Sequence, residues 1–172
     1  MAGPAHAQTI FGETGAQLCF ERVQAGDPGR VGARQVCERA LEDPRLTPRD
    51  RAATHVNLGI LERRNGDPAA ALSHYDIALR TLPGSAELWL NRGAALVSAG
   101  RPEEAVEDLT RAIELGLQRP ERGYYNRALA HEALSDYASA YIDHQRALEA
   151  APGFTPARRA LTRFSRSDAS GR

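Results

Sequence analysis

The chain has 172 residues, enough for one domain with a usable core, and its 22 basic and 22 acidic side chains cancel at neutral pH. That balance excludes bulk electrostatic attraction to nucleic acid or to an anionic membrane, and no apolar run is long enough to span a bilayer. Apart from histidine every basic residue is arginine, and alanine is abundant, a bias that points to a GC-rich and hence bacterial coding source.

Residues 1–12 speak of processing rather than of fold. Ala5-His6-Ala7 matches the small-x-small pattern of a signal-peptidase site, and Gly3-Pro4 before it suits the end of a secretory signal. The charged and apolar regions of such a signal are absent, so two readings stand: a start upstream of Met1, or an accidental match in an alanine-rich chain.

Residues 13–47 read as a helical hairpin, with helices near 13–24 and 30–41 and a turn at Gly26-Asp27-Pro28-Gly29. The two cysteines, Cys19 and Cys37, are equidistant from that turn and so stand at matching heights on antiparallel helices. That is the geometry in which a disulfide forms, and a disulfide implies an oxidising compartment. The alternative is a pair of buried thiols acting as small hydrophobes. No C-x-x-C is present to suggest redox catalysis. The cysteines and the Ala5–Ala7 site together favour a periplasmic or secreted location, with a cytoplasmic one as the alternative.

Between 52 and 154 the chain repeats. Asn57, Asn91 and Asn126 are separated by 34 and then 35 residues, and the same intervals hold for Gly59, Gly93 and Ala128, for Ala71, Ala105 and Ala140, and for Ala78, Ala112 and Ala147. A shared step of this size marks an array of helix pairs, each too short to bury its own apolar face, so that neighbours must stack. The units are 52–85, 86–120 and 121–154. Small residues are expected where two helices approach closely, with Gly59 against Ala71, Gly93 against Ala105 and Ala128 against Ala140.

Helix boundaries follow from punctuation. Pro48, Pro68, Pro102, Pro120 and Pro156 suit first helical turns, Thr47, Asp67 and Thr155 suit N-caps, and Gly66, Gly100 and Gly116 suit helix stops. The predicted helices are 49–64, 68–81, 86–98, 102–115, 120–134, 137–150 and 156–165. In the last, Ala157, Ala160, Leu161 and Phe164 form an apolar stripe that closes the array, while Arg158, Arg159, Arg163 and Arg166 form the opposite, solvated face. Residues 166–172 read as a disordered tail.

These markers resemble the tetratricopeptide repeat family, whose W-x2-L-G…Y…A…F…A…P skeleton appears as His55-x2-Leu58-Gly59…Ala71…Tyr75…Ala78…Pro83 and again as Trp89-x2-Arg92-Gly93…Ala105…Leu109…Ala112. A third copy reads Tyr124-x2-Arg127-Ala128…Ala140…His144…Ala147…Pro152. The resemblance implies an all-α fold, a right-handed superhelical solenoid of antiparallel helix pairs, here with an N-terminal hairpin and a C-terminal capping helix. It also implies a non-enzymatic adaptor, binding an extended peptide or a partner helix on the concave face lined by the first helix of each pair.

On that face Asn57, Asn91 and Asn126 are expected to form a ladder of amides, each able to donate to and accept from a peptide backbone. The alternative is that they belong to the scaffold. Val56, Leu90 and Tyr125, with Ile60, Ala94 and Leu129, would make the groove mostly apolar. Arg63 and Arg64 at one end and Arg122 at the other would hold an acidic side chain or a terminal carboxylate. Chaperone-binding members grip a carboxylate tail with polar residues in the first repeat, where this chain has Val56 and Ile60, so no chaperone tail is expected. Arg92 with Asp108 and Arg127 with Asp143 recur at one offset and are expected to be structural ion pairs within a unit.

Catalysis finds little support. His55 and His144 stand where the family packs an aromatic ring, no histidine pair has i,i+4 ligand spacing, and no nucleophile motif or phosphate loop occurs. No metal and no cofactor is expected. Two functions remain open: an exported adaptor in a bacterial envelope complex, or a cytoplasmic regulatory scaffold contacting a multiprotein machine or nucleic acid. Self-association is compatible with either.

Overall fold

The computed structural model describes residues 15–25 and 31–170, and the side chains of 15–25 and 32–164. The expected turn at 26–29, the segment 1–12, residues 171–172 and the side chain of Arg166 lie outside the described residues. Among those described there are nine helices and no strand: α1 Gly15–Gln24, α2 Val31–Glu42, α3 Pro48–Arg64, α4 Pro68–Leu79, α5 Ala86–Ser98, α6 Pro102–Glu114, α7 Pro120–Ala133, α8 Tyr137–Ala150 and α9 Thr155–Ser170. The last helix runs past its predicted end at 165, since no proline or glycine interrupts 157–170.

Local chemistry sets the boundaries. Thr47 and Asp67 accept from the backbone N–H groups of Asp50 and Ala70, and Ser85 and Asp136 make the same cap for α5 and α8. Thr155 is itself the first residue of α9, whose first carbonyl acceptor is Phe154. The turns between paired helices pass through the left-handed region at Gly66, Gly100 and, in the third unit, Ser135 with φ 61°.

Each odd-numbered helix from α1 to α7 packs antiparallel on the next even-numbered one, and each pair stacks on its neighbour, so α1–α2 sits on α3 as α3–α4 sits on α5. The small residues do allow close approach, but with different partners from those expected. A Cβ at Gly59 would collide with the Tyr75 ring and one at Gly93 with Leu109 Cγ at 2.6 Å. Each hairpin folds about its left-handed glycine, which places these glycines opposite residues one turn beyond Ala71 and Ala105. Tyr75 and Leu109 are fully buried there.

Two arginines tie the units together. Arg92 grips Asp108 with a two-pronged contact of 2.7 and 2.8 Å, and Arg127 grips Asp143 at 2.7 and 2.9 Å. The third prong reaches backwards across the seam, from Arg92 to Asp76 at 2.7 Å and from Arg127 to the Thr110 hydroxyl at 2.9 Å. The Asp108 fork holds the Arg92 guanidinium above its ordinary range, against the opposing effect of burial.

The first unit has Leu58 at this position, and it points into a separate apolar cluster with Cys19, Val23, Ala33, Cys37 and Leu61, under the α1–α2 hairpin. Each leucine so buried contributes roughly 2 kcal/mol. A disulfide joins Cys19 to Cys37 inside this cluster. At the other end, Ala157 and Ala160 of α9 are buried, and Phe164 packs edge-on to Tyr137 and Tyr141.

Candidate protein-binding groove

Successive odd-numbered helices from α1 to α7 touch one another, whereas even-numbered helices make no comparable contact with their even-numbered neighbours. The odd helices therefore form the inner wall of a curved stack. Three recesses follow one another along it. One lies between α1 and α3, one is shared by α3, α5 and α7, and one lies between α7 and α9.

The central recess has a volume of about 300 Å³. Leu90, Ala94, Tyr125 and Phe154 supply its apolar lining, with Tyr125 and Phe154 in an edge-to-face contact at 5.5 Å. Asn91 and Asn126 point in from α5 and α7, and neither side-chain amide is hydrogen-bonded to a described residue. Arg63, Arg119 and Arg122 complete the wall, and no acidic side chain lines it. Arg119 is ion-paired with Glu121 at 2.8 Å. Arg63 and Arg122 have no ion-pair partner among the described residues, and the Arg63 Nε is buried without a hydrogen bond. Burial pushes the Tyr75 phenol up, opposed by the nearby Arg63 charge. Free guanidinium and amide donors over an apolar floor suit a carboxylate joined to a peptide backbone.

Of the residues predicted for the groove, Leu90, Asn91, Ala94, Arg122, Tyr125 and Asn126 line this recess. Asn57 and Val56 line the recess beside α1, with Phe20 and Leu82, and Asn57 is only 5% exposed. The ladder is thus divided, because α1 continues the inner wall and covers the α3 face that equal spacing alone would leave open. Ile60 packs against the disulfide cluster. Arg64 donates to the Val23 carbonyl at 2.8 Å and secures the end of α1, so its neighbour Arg63 is the arginine that enters the groove. Leu129 is half-buried outside the lining.

Sequence reasoning missed Arg119 and Phe154, which sit in connections where helical periodicity carries no information. It also left Arg159 on a solvated face, although Arg159 follows Tyr125 by 34 residues and so stands where a fourth inner helix would present a groove residue. Elsewhere, His144 is fully buried with its Nε2 2.7 Å from Glu132 Oε1. No three metal-ligating side chains converge among the described residues.

The profile of the tetratricopeptide repeat matches residues 56–120 and 95–153. The mitochondrial import receptor subunit TOM34 of Homo sapiens is 32% identical over 112 residues, covering 60% of this chain and 36% of the relative. Sperm-associated antigen 1 of Mus musculus is 28% identical over 148 residues, 78% of this chain and 16% of the relative. The chain therefore spans well under half the length of these curated relatives. Among solved structures, that titled for the functional characterization of Pseudomonas aeruginosa pilF superposes with a TM-score of 0.78 at 21% identity over 92% of this chain and 69% of the other. The crystal structure of MamA gives 0.69 at 21% identity over 84% and 80%. At these identities the likeness concerns the fold alone. With the repeat profile covering most of the stacked helix pairs, the chain belongs to the tetratricopeptide repeat family.

Proposed function

We propose that this chain is a non-enzymatic adaptor whose inner groove holds an extended peptide segment of a partner protein, with one carboxylate of that segment seated among Arg63, Asn91, Arg122 and Asn126. Tetratricopeptide repeat proteins mediate protein–protein contacts. The observation that carries the finer reading is the central recess, where two unpaired amides and two arginines without ion pairs face an apolar floor. An extended peptide needs donors and acceptors for its backbone, and an amide offers both. The Cys19–Cys37 disulfide supports an oxidising compartment, of which the bacterial envelope is one, because such a bond persists only where thiols are not kept reduced.

The test is a fluorescence-anisotropy screen of labelled random-sequence peptides with free C-termini. Wild type is compared with Asn91→Ala/Asn126→Ala and with Asn57→Ala, and the melting temperature of each is recorded. Wild type should retain a subset of peptides, the double variant should lose them by tenfold or more at unchanged melting temperature, and Asn57→Ala should behave as wild type. Equal retention by wild type and the double variant would sink the reading.

A further inference from the structure

The third recess lies where the last repeat meets the capping helix α9. It has a volume of about 530 Å³ and is lined by Tyr125, Thr155, Pro156, Arg159, Ala160 and Arg163. Tyr125 belongs to the central recess as well, so the two are continuous across one ring. Arg159 is exposed and has no ion pair among the described residues, and Arg163 meets Glu132 only at 3.5 Å. Thr155 and Pro156 open α9, so the positive end of that helix faces the same space. Five arginines and no aspartate or glutamate line the two recesses, in a chain whose charges cancel overall.

We infer that the capping helix is part of the binding surface, and that the ligand is an acidic peptide carrying at least two carboxylates, one held in the central recess and a second beside Arg159. This rests on the groove reading above and adds the direction in which the peptide leaves the repeats, from α5 across α7 onto α9. Arg63, Arg122 and Arg159, without an ion pair among the described residues, gain most from a ligand that brings negative charge. Nucleic acid is the competing polyanion. The peptide is favoured because Asn91 and Asn126 stand next to the arginines and match a peptide backbone, and because Leu90 and Phe154 give the central recess an apolar floor.

The probe is a labelled twelve-residue peptide of glutamate, alanine and glycine with four glutamates, measured beside its glutamine counterpart and a single-stranded oligonucleotide of twelve nucleotides. The proteins are the full chain and Arg159→Glu, an exposed site without a described partner, with melting temperatures recorded. The glutamate peptide should bind wild type at least tenfold more tightly than the glutamine peptide. Arg159→Glu should remove most of that preference while leaving glutamine-peptide affinity within twofold. Equal binding of the two peptides, an unchanged preference in Arg159→Glu, or tighter binding of the oligonucleotide would each overturn the inference. If the glutamate peptide fails while random-sequence peptides bind through Asn91 and Asn126, the acidic class is wrong and the groove stands. If no peptide of any composition binds, both fall.

Discussion

The Nδ1 atoms of His55 and His74 lie 3.1 Å apart across α3 and α4, and the two residues occupy the positions that Trp89 and Asp108 hold one unit later. In the second unit Arg92 fills the space between them, 4.8 Å over the Trp89 ring and forked onto Asp108. With Leu58 in place of that arginine, turned towards the hairpin, the imidazoles meet directly. One nitrogen must carry the proton and the other the lone pair, so the contact exists only while at least one ring is neutral.

A dependence on pH follows. Burial lowers both imidazoles; at His55 the His74 and Arg51 charges lower it further, while at His74 Glu62 raises, Arg34 lowers and Glu38 raises. A base with a depressed folded-state pKa takes up protons more readily when unfolded. The associated stability is therefore full above the ordinary histidine value of 6.5 and is lost as pH falls through the lower folded values. Wild type should melt several degrees lower at pH 5 than at pH 7.5, and His74→Asn should flatten that slope. Parallel slopes in the two proteins would exclude the pair as its source.

The arginine forks are expected to support the scaffold rather than to contact ligand. Arg127→Ala leaves Asp143, whose side chain is 3% exposed, without its fork and should cost about 3 kcal/mol. Adding Asp143→Ala to that variant should recover part of the loss. Urea denaturation of the two single variants and the double variant gives the coupling directly, and strict additivity would mean that the fork contributes nothing as a pair.

Ser135 stands where Gly66 and Gly100 stand in the earlier units and shares their left-handed backbone. A side chain there costs about 1 kcal/mol relative to glycine. Ser135→Gly should raise the melting temperature, and Gly100→Ser should lower it by a similar amount. A neutral result for both would mean that the turn relaxes to another conformation.

Reduction of the disulfide should act locally. Cys19 and Cys37 close a loop with a sequence separation of 18, for which the loss is about 3 kcal/mol. Hydrogen exchange with and without reductant should show α1 and α2 losing protection while α5–α8 keep theirs. Uniform loss along the chain would show instead that the hairpin is cooperative with every repeat.

The period, the limits of the helices within the repeats and the Arg92–Asp108 and Arg127–Asp143 offsets were legible because each depends on residues close in sequence or repeated in phase. The groove was only half legible. Asn57 has the spacing of Asn91 and Asn126, but spacing says nothing of what covers a position, and α1 comes from outside the repeats to cover it. The backward reach of Arg92 to Asp76 was hidden for a related reason: its counterpart one unit later is Thr110, so the two acceptors do not look alike. Gly59 shows the limit of packing rules, since its small size was evident but its neighbour Tyr75 depends on where the hairpin folds.

Because Arg92 and Arg127 each span a boundary between units, the array is built to be lengthened. A tandem copy of residues 86–120 placed after itself would bring an arginine that reaches back to the Thr110 of the first copy and forward to its own aspartate. The same insertion would add another asparagine from an inner helix. Duplication would thus extend the ligand track and the cooperative length of the fold together, and the number of residues a bound chain contacts becomes a matter of copy number rather than of new design.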